Sequence, residues 1–371
     1  MSRTPSRCLD PILPSVHHIP VTSPPVHRKP TSHDIAELVG VSQPTVSKAL
    51  RGDRSIKQET RDRIWEAARQ IGYRVNRNAS RLRTQRTNAI ALVVLCRRSE
   101  GRVEVSPFHL ALLGHIATAA SEASHELIIS FQSADDELFG HYQDASLADG
   151  VLVIGSSEQA SAWDYFRKLK AEGVAIVSWS FDLDDDGSDS GDHVASVAAD
   201  NRDGGRIVAN HFLKSGRKHP LFVTAGSPSP RQFRERYEGF AARWAAAGRS
   251  APPTIAVDAT GPREAQGRAA VARLLSEGIP CDAIFAASDL IAIGVIAALS
   301  EAGRRVPQDV AVIGFDGIDS ARYCTPTLST VEQDLPAAGR LLVNRLLANL
   351  GADTMDGSKV PVRLIARESG G

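Results

Sequence analysis

From Ile90 onward the chain repeats one pattern: a short, mostly β-branched apolar run, an amphipathic stretch, then another apolar run. The runs at 90–95, 127–130, 151–154, 175–177, 221–224, 254–257, 283–286 and 310–313 are nearly continuously apolar rather than alternating, as expected of strands covered on both faces. With helical stretches between most of them, the pattern predicts α/β architecture built on doubly wound parallel sheets. Two successive series of such units imply two lobes, set at about 89–217 plus 331–360 and about 218–330 plus 361–371. Ligands of such folds bind beyond the carboxyl ends of the strands, so the cleft between the lobes is the expected site.

The charge is distributed unevenly. The formal net charge of the 371 residues is zero, yet residues 28–88 carry fourteen Lys/Arg against six Asp/Glu. A cationic module of about 60 residues ahead of an acidic body suits a phosphate backbone as partner. Residues 1–28, rich in Pro, Ser and His, are expected to be a flexible tail and receive no function. Four cysteines, Cys8, Cys96, Cys281 and Cys324, show no metal-ligand spacing, so reduced thiols in a cytoplasmic protein are expected, with no metal and no cofactor. No run of 18 apolar residues is present, which argues against a membrane partner. The acidic stretch 182–192 lacks the spaced ligand ladder of a calcium loop and is expected to be solvated.

Residues 29–75 are expected to form a three-helix head. Ser32 precedes a helix with Ile35, Ala36, Leu38 and Val39 on its apolar face, closed by Gly40. Ser42 then caps a second helix, 43–50, with Pro44 in its first turn, where a missing N–H costs little. Val46, Ala49 and Leu50 can face the first helix, which leaves Gln43, Thr45, Ser47, Lys48 and Arg51 outward, a polar and basic set able to meet base edges and phosphates. A third helix is expected from Ser55, burying Ile64, Ala68 and Ile71 and ending at Gly72.

The run HDIAELVGVSQPTVSKALRG, followed by Ile56-Lys57-Gln58-Glu59-Thr60-Arg61 and Ile71-Gly72-Tyr73, closely resembles the head of the lac/galactose repressor family. That resemblance implies a helix-turn-helix whose second helix enters the DNA major groove, with Ser42, Gln43, Pro44, Thr45, Ser47, Lys48 and Arg51 as contact residues. It also implies a hinge and linker over 76–88, in which Asn76, Ala79 and Leu82 reach the minor groove and Leu82 wedges between base steps. The family usually has proline just before the hinge asparagine; here the residue is Val75.

The resemblance continues through the body, 89–371, as a two-lobed periplasmic-binding-protein-like domain. It is carried by Ser106-Pro107-Phe108-His109, Ala148-Asp149-Gly150-Val151, Asp200-Asn201-Arg202-Asp203-Gly204-Gly205, Arg236-Tyr237-Glu238-Gly239-Phe240, Ser288-Asp289, Gly314-Phe315-Asp316 and Pro326-Thr327-Leu328-Ser329-Thr330-Val331-Glu332-Gln333. By likeness, Asp203, Arg236, Ser288 and Asp316 match effector-contacting positions, and Phe108 and His109 a cleft wall. Many relatives carry an aromatic residue where this chain has Ala259-Thr260-Gly261, and Trp179 is the candidate to replace it.

The family implies a homodimer that binds operator DNA and a small effector, expected to be a sugar, acting as a repressor of carbohydrate-use genes. Inducer-released and corepressor-dependent regulation both stay open, as does a non-sugar ligand. A transporter's sugar-binding protein shares the body's architecture, but the basic head and the lack of a signal-peptide pattern weigh against it. No catalytic residues are expected: the chain has no P-loop, no GxGxxG opening after the first strand, no GxSxG elbow and no HExxH.

Overall fold

The computed structural model describes residues 30–50, 52–73, 86–99, 102–133, 147–155, 160–180, 195–226, 229–258, 261–350 and 358–371. The chain divides into two compact units, residues 1–84 and 85–371. In the first, helices α1 (Ser32–Val39), α2 (Gln43–Leu50) and α3 (Gln58–Gln70) close around Ile35, Val39, Val46, Ala49, Ile64, Ala67 and Ala68. Thr31, rather than Ser32, caps α1: the Asp34 carboxylate accepts from the Thr31 backbone N–H at 2.6 Å and its hydroxyl at 2.8 Å. Gly40 ends α1 at φ 73°, a left-handed conformation that glycine adopts without steric cost. Two expectations fail here. Leu38 is 61% exposed instead of packed inward, and α3 starts at Gln58, because Asp53 accepts from the Ser55 backbone N–H and holds Ser55 in a turn.

The second unit contains two sheets. The first is built from β1 (Ala89–Ser99), β2 (Arg102–Glu104), β3 (Glu126–Ser133), β4 (Gly150–Ile154), β5 (Ile176–Trp179), β6 (Ala195–Ala199) and β12 (Ser358–Val360). Its pairing is parallel except where β2 folds back on the end of β1. Helices α4 (Pro107–Glu122) and α10 (Leu335–Asn349) bury Leu112, Ile116, Leu342 and Leu346 in the core on one face. Phe166 of α5 (Ala160–Ala171) packs against the other face. The second sheet runs β13 (Val362–Ile365), β11 (Ser329–Gln333), β10 (Ala311–Asp316), β9 (Ala283–Ala286), β7 (Pro220–Ala225), β8 (Thr254–Val257), with only β13 antiparallel. It is flanked by α6 (Asn201–Lys214), α7 (Arg231–Ala245), α8 (Arg263–Ser276) and α9 (Asp289–Glu301).

The lobe boundaries differ from those expected. α6 belongs to the second lobe, where Val208, Ala209 and Phe212 join the core of Phe240 and Trp244. Its approach to α7 is too close for side chains: a Cβ on Gly205 would lie 2.0 Å from the Arg236 carbonyl oxygen, and one on Gly239 1.9 Å from that of Arg202. β11 is also in the second sheet, paired with β10 on one side and β13 on the other. The chain therefore crosses between lobes at Asp200, Asp334 and Pro361, not near 217 and 331.

Candidate functional site

A cavity of about 530 Å³ lies between the lobes. It is walled by Leu95 of β1, Trp179 at the end of β5, Asp316 at the end of β10, and the first residues of α4, α7, α8 and α9. This placement follows from the winding, since a strand's carboxyl end feeds the helix that begins beside it.

Arg236 and Asp316 form its polar centre. Arg236, on α7, is buried; its Nη2 is 3.4 Å from Asp316 Oδ1, its Nη1 donates to the Ala287 carbonyl, and its Nε donates to Asn201 Oδ1 at 3.0 Å. The guanidinium also lies 3.6 Å from the Phe315 ring centroid. A planar fork held on three sides is fixed in direction, which a flexible ammonium would not be. Asp316 sits at φ 122°, a backbone region that costs about 1–3 kcal/mol and persists only when neighbours over-determine it. Those neighbours are Arg236, Gln333, whose Nε2 donates to Asp316 Oδ1 at 2.9 Å, and the following turn. In that turn the Ile318 N–H donates to Asp289 Oδ2 at 2.9 Å, and Thr330 Oγ1 donates to Asp289 Oδ1 at 2.6 Å. Ser288 caps α9 beside it, accepting from the Ile291 N–H.

The opposite wall is aromatic. Phe108 lies 6.2 Å from Trp179 and 5.3 Å from the His109 ring, and His109 Nδ1 is 2.9 Å from Ser106 Oγ, the cap of α4. Burial, with the positive charge of Arg263 second, pushes His109 down to about 4, so it is neutral at pH 7. Burial pushes Asp316 up to about 6 against the opposing pull of Arg236, and burial together with Asp316 pushes Asp289 well up. The two walls therefore oppose each other on acidification. Stability gained by keeping His109 neutral is present above its ordinary 6.5 and lost as pH falls toward 4, whereas protonation of Asp316 stabilises the fold below its ordinary 3.8 and that gain is lost as pH rises through about 6. Urea denaturation between pH 7 and 4 should show Asp316→Asn losing stability more steeply on acidification than the parent chain, and His109→Gln less steeply. Parallel curves for all three would contradict these protonation states.

Of the six effector residues expected from the sequence, Phe108, His109, Arg236, Ser288 and Asp316 line this cavity and Asp203 does not. Asp203 pairs with Arg206 at 2.6 Å on the exposed side of α6. It is Asn201, two positions earlier on that helix and buried, that reaches Arg236. Asn201 and Gln333 fall within motifs that carry the family resemblance but were assigned no role in the site, and Arg263 was not singled out. Trp179 lines the cavity, as does Gly261; residues 259–260 lie outside the described residues.

In the first unit, α2 presents a second candidate surface. Ser42, Pro44 and Lys48 are exposed, and Gln43, Thr45 and Ser47 half-buried. Ser42 Oγ accepts from the Thr45 N–H at 3.3 Å and meets its hydroxyl at 2.8 Å, while Gln43 Nε2 donates to Ser32 Oγ at 3.1 Å. These bonds restrict the side chains of Ser42, Gln43 and Thr45. Arg51, Asn76, Ala79 and Leu82 lie outside the described residues. Among those described, no helix is long and apolar enough to cross a membrane, and no cluster of His, Cys, Asp and Glu could hold a metal ion.

Residues 31–76 match the model of bacterial regulatory proteins of the lacI family, and residues 209–370 that of the periplasmic binding protein-like domain. The HTH-type transcriptional regulator CelR of Thermobifida fusca is 29% identical over 351 residues, covering 92% of this chain and 99% of CelR. The HTH-type transcriptional repressor PurR of Haemophilus influenzae (strain PittEE) is 26% identical over 323 residues, 86% of this chain and 91% of PurR. A CelR–cellobiose complex superposes with TM-score 0.64 at 26% identity, over 92% of this chain and all of that one (100%). The lac repressor dimer bound to operator and the anti-inducer ONPF gives 0.70 at 21% identity, over 92% and 99%, a likeness of fold. The chain thus joins a head that matches the lacI-family model to a body that matches the periplasmic binding protein-like model, and these two relatives along nearly its whole length are HTH-type transcriptional regulators.

Proposed function

We propose that this protein is a cytoplasmic, sequence-specific transcriptional repressor of carbohydrate-use genes, and that a small neutral sugar in the cleft controls its hold on operator DNA. The observation that carries the reading is the pairing of a fixed guanidinium, Arg236, with a carboxylate, Asp316, opposite the apolar wall of Phe108 and Trp179. A carboxylate accepts from sugar hydroxyls, a guanidinium donates to them, and aromatic faces cover the C–H side of the ring. Such a site binds and releases its ligand without turnover. The cellobiose held by CelR, a relative over nearly the whole chain, supports the sugar class.

DNA binding is assigned to α2, with Gln43, Thr45, Ser47 and Lys48 toward bases and phosphates, Arg51 beyond its end, and Asn76, Ala79 and Leu82 in the hinge. The functional unit is a homodimer, because two heads are needed to read two half-sites. Leu110 on α4 and Ile129 and Phe131 on β3 are large apolar side chains left exposed on the first lobe, a surface suited to a second copy.

Trp179 provides the test of the sugar assignment. Tryptophan fluorescence, with Trp179→Phe as the control for the other three tryptophans, should change saturably on titration with cellobiose or a related mono- or disaccharide, and Asp316→Asn should weaken that binding at least tenfold. A saturable response to a non-sugar metabolite, with none to any sugar, would overturn the sugar assignment.

A further inference from the structure

The two polar side chains at the centre of the cleft are each bonded to a residue at a lobe crossing. Arg236 Nε donates to Oδ1 of Asn201, the first residue after the crossing from β6 into α6. Asp316 Oδ1 accepts from Nε2 of Gln333, the last residue of β11 before the crossing into α10. Both amides are buried. Asn201 Nδ2 donates to Glu235 Oε2 at 3.1 Å, and the adjacent Asp200 N–H donates to the Val360 carbonyl, which belongs to the third crossing strand. Gln333 is followed by Asp334, whose carboxylate caps α10 by accepting from the Ala337 N–H at 3.0 Å. α10 packs into the first lobe, so Gln333 ends the second lobe's sheet one residue before the chain joins the other lobe.

Space is available for movement there. A separate cavity of about 440 Å³ runs beside Asp334, Leu335, Pro336 and Pro361, and Asp316 and Gln333 line both it and the cleft. A sugar hydroxyl that bonds Asp316 competes with Gln333 for the carboxylate, and one that draws Arg236 loads its bond to Asn201.

Resting on the proposed sugar-controlled binding of DNA, we infer that Asn201 and Gln333 are the coupling residues: through these two carboxamides, occupancy of Arg236 and Asp316 is transmitted to the lobe crossings and so to the angle between the lobes. They are positioning residues, acting through Arg236 and Asp316. The quantity they control is the coupling factor, the ratio of DNA affinities with and without sugar, which linkage requires to equal the ratio of sugar affinities with and without DNA.

The test uses the full chain, a DNA fragment from upstream of its own gene, and cellobiose and D-glucose as probes, with both ratios measured. Gln333→Met and Asn201→Leu keep side-chain volume and remove the amide; each should bring the coupling factor at least tenfold closer to one, whatever change in sugar affinity accompanies it. Asn201→Asp, which keeps the oxygen that accepts from Arg236, should retain more coupling than Asn201→Leu. If the variants weaken sugar binding but leave the coupling factor at the parent value, the two amides only shape the pocket and the inference is overturned. If the parent chain itself shows a coupling factor of one with both probes, sugar control by this route fails and the inference falls with it, an outcome separable from the first because it appears without any substitution.

Discussion

Replacing Arg236 with methionine is expected to lower the stability of the body by about 3–5 kcal/mol at pH 7.5, the cost of removing one partner from a buried ionic cluster, and to abolish sugar binding. The guanidinium stands between Asp316 and the carbonyl of Ala287, stacked on Phe315, and Asp289 lies in the same buried cluster. Methionine restores volume but leaves the buried Asp289 and the half-buried Asp316 without their counter-charge. Burial has already raised both, so protonation offers them an escape as pH falls. The destabilisation measured in urea should therefore shrink at pH 5. A loss under 1 kcal/mol at pH 7.5 would mean that Arg236 is a spectator of the fold.

The second large effect is expected at the head. Changing Gln43, Thr45 and Lys48 together to alanine should weaken binding to a cognate operator by about 3 kcal/mol or more, taking about 1–3 kcal/mol for each base contact, which is a hundredfold or greater. None of the three belongs to the core of Ile35, Val39, Val46, Ala49, Ile64, Ala67 and Ala68, and the cap at Ser42 is left in place, so the head should still fold. Binding to scrambled DNA should fall much less, because Arg54, Lys57, Arg61, Arg63 and the hinge arginines remain; the salt dependence should flatten by about one phosphate if Lys48 meets the backbone. Equal losses on operator and scrambled DNA would show that α2 does not read sequence.

Much of this arrangement was legible in the sequence because it rests on periodicity. Strands such as 90–95, 151–154 and 283–286 announce themselves by β-branched runs, and the doubly wound architecture then places helix starts such as Ser106, Arg236's helix and Ser288 around one cleft. β6, β11, β12 and β13 were not legible: Ala195–Ala199 consists of small residues, Ser329–Gln333 is polar though largely buried, and the last two have 3 and 4 residues. Without β11 and β13 as strands, and with α6 free to dock on either lobe, the boundary expected near 217 falls at Asp200 and that expected near 331 at Asp334.

The misplacement of Asp203 has a related cause. Motif position identifies a helix, but residues two apart on it differ by about 200° in direction. Only the contact of α6 with α7 shows that Asn201 turns toward Arg236 and Asp203 toward Arg206. The roles of buried polar residues such as Gln333 and Asp289 were unreadable for a further reason: their partners lie 17 and 41 positions away. At Leu38, by contrast, helical periodicity placed an apolar side chain inward that a three-helix head of this size leaves outside.

The most direct test of the account is a titration of purified full-length protein against DNA from upstream of its own gene and against scrambled DNA of equal length, at fixed salt, with and without saturating sugar. Tight binding to the upstream fragment alone is expected, with at least a tenfold change in that affinity when one sugar of a mono- and disaccharide panel is present. Equal affinity for both DNAs, unmoved by every sugar, would contradict it.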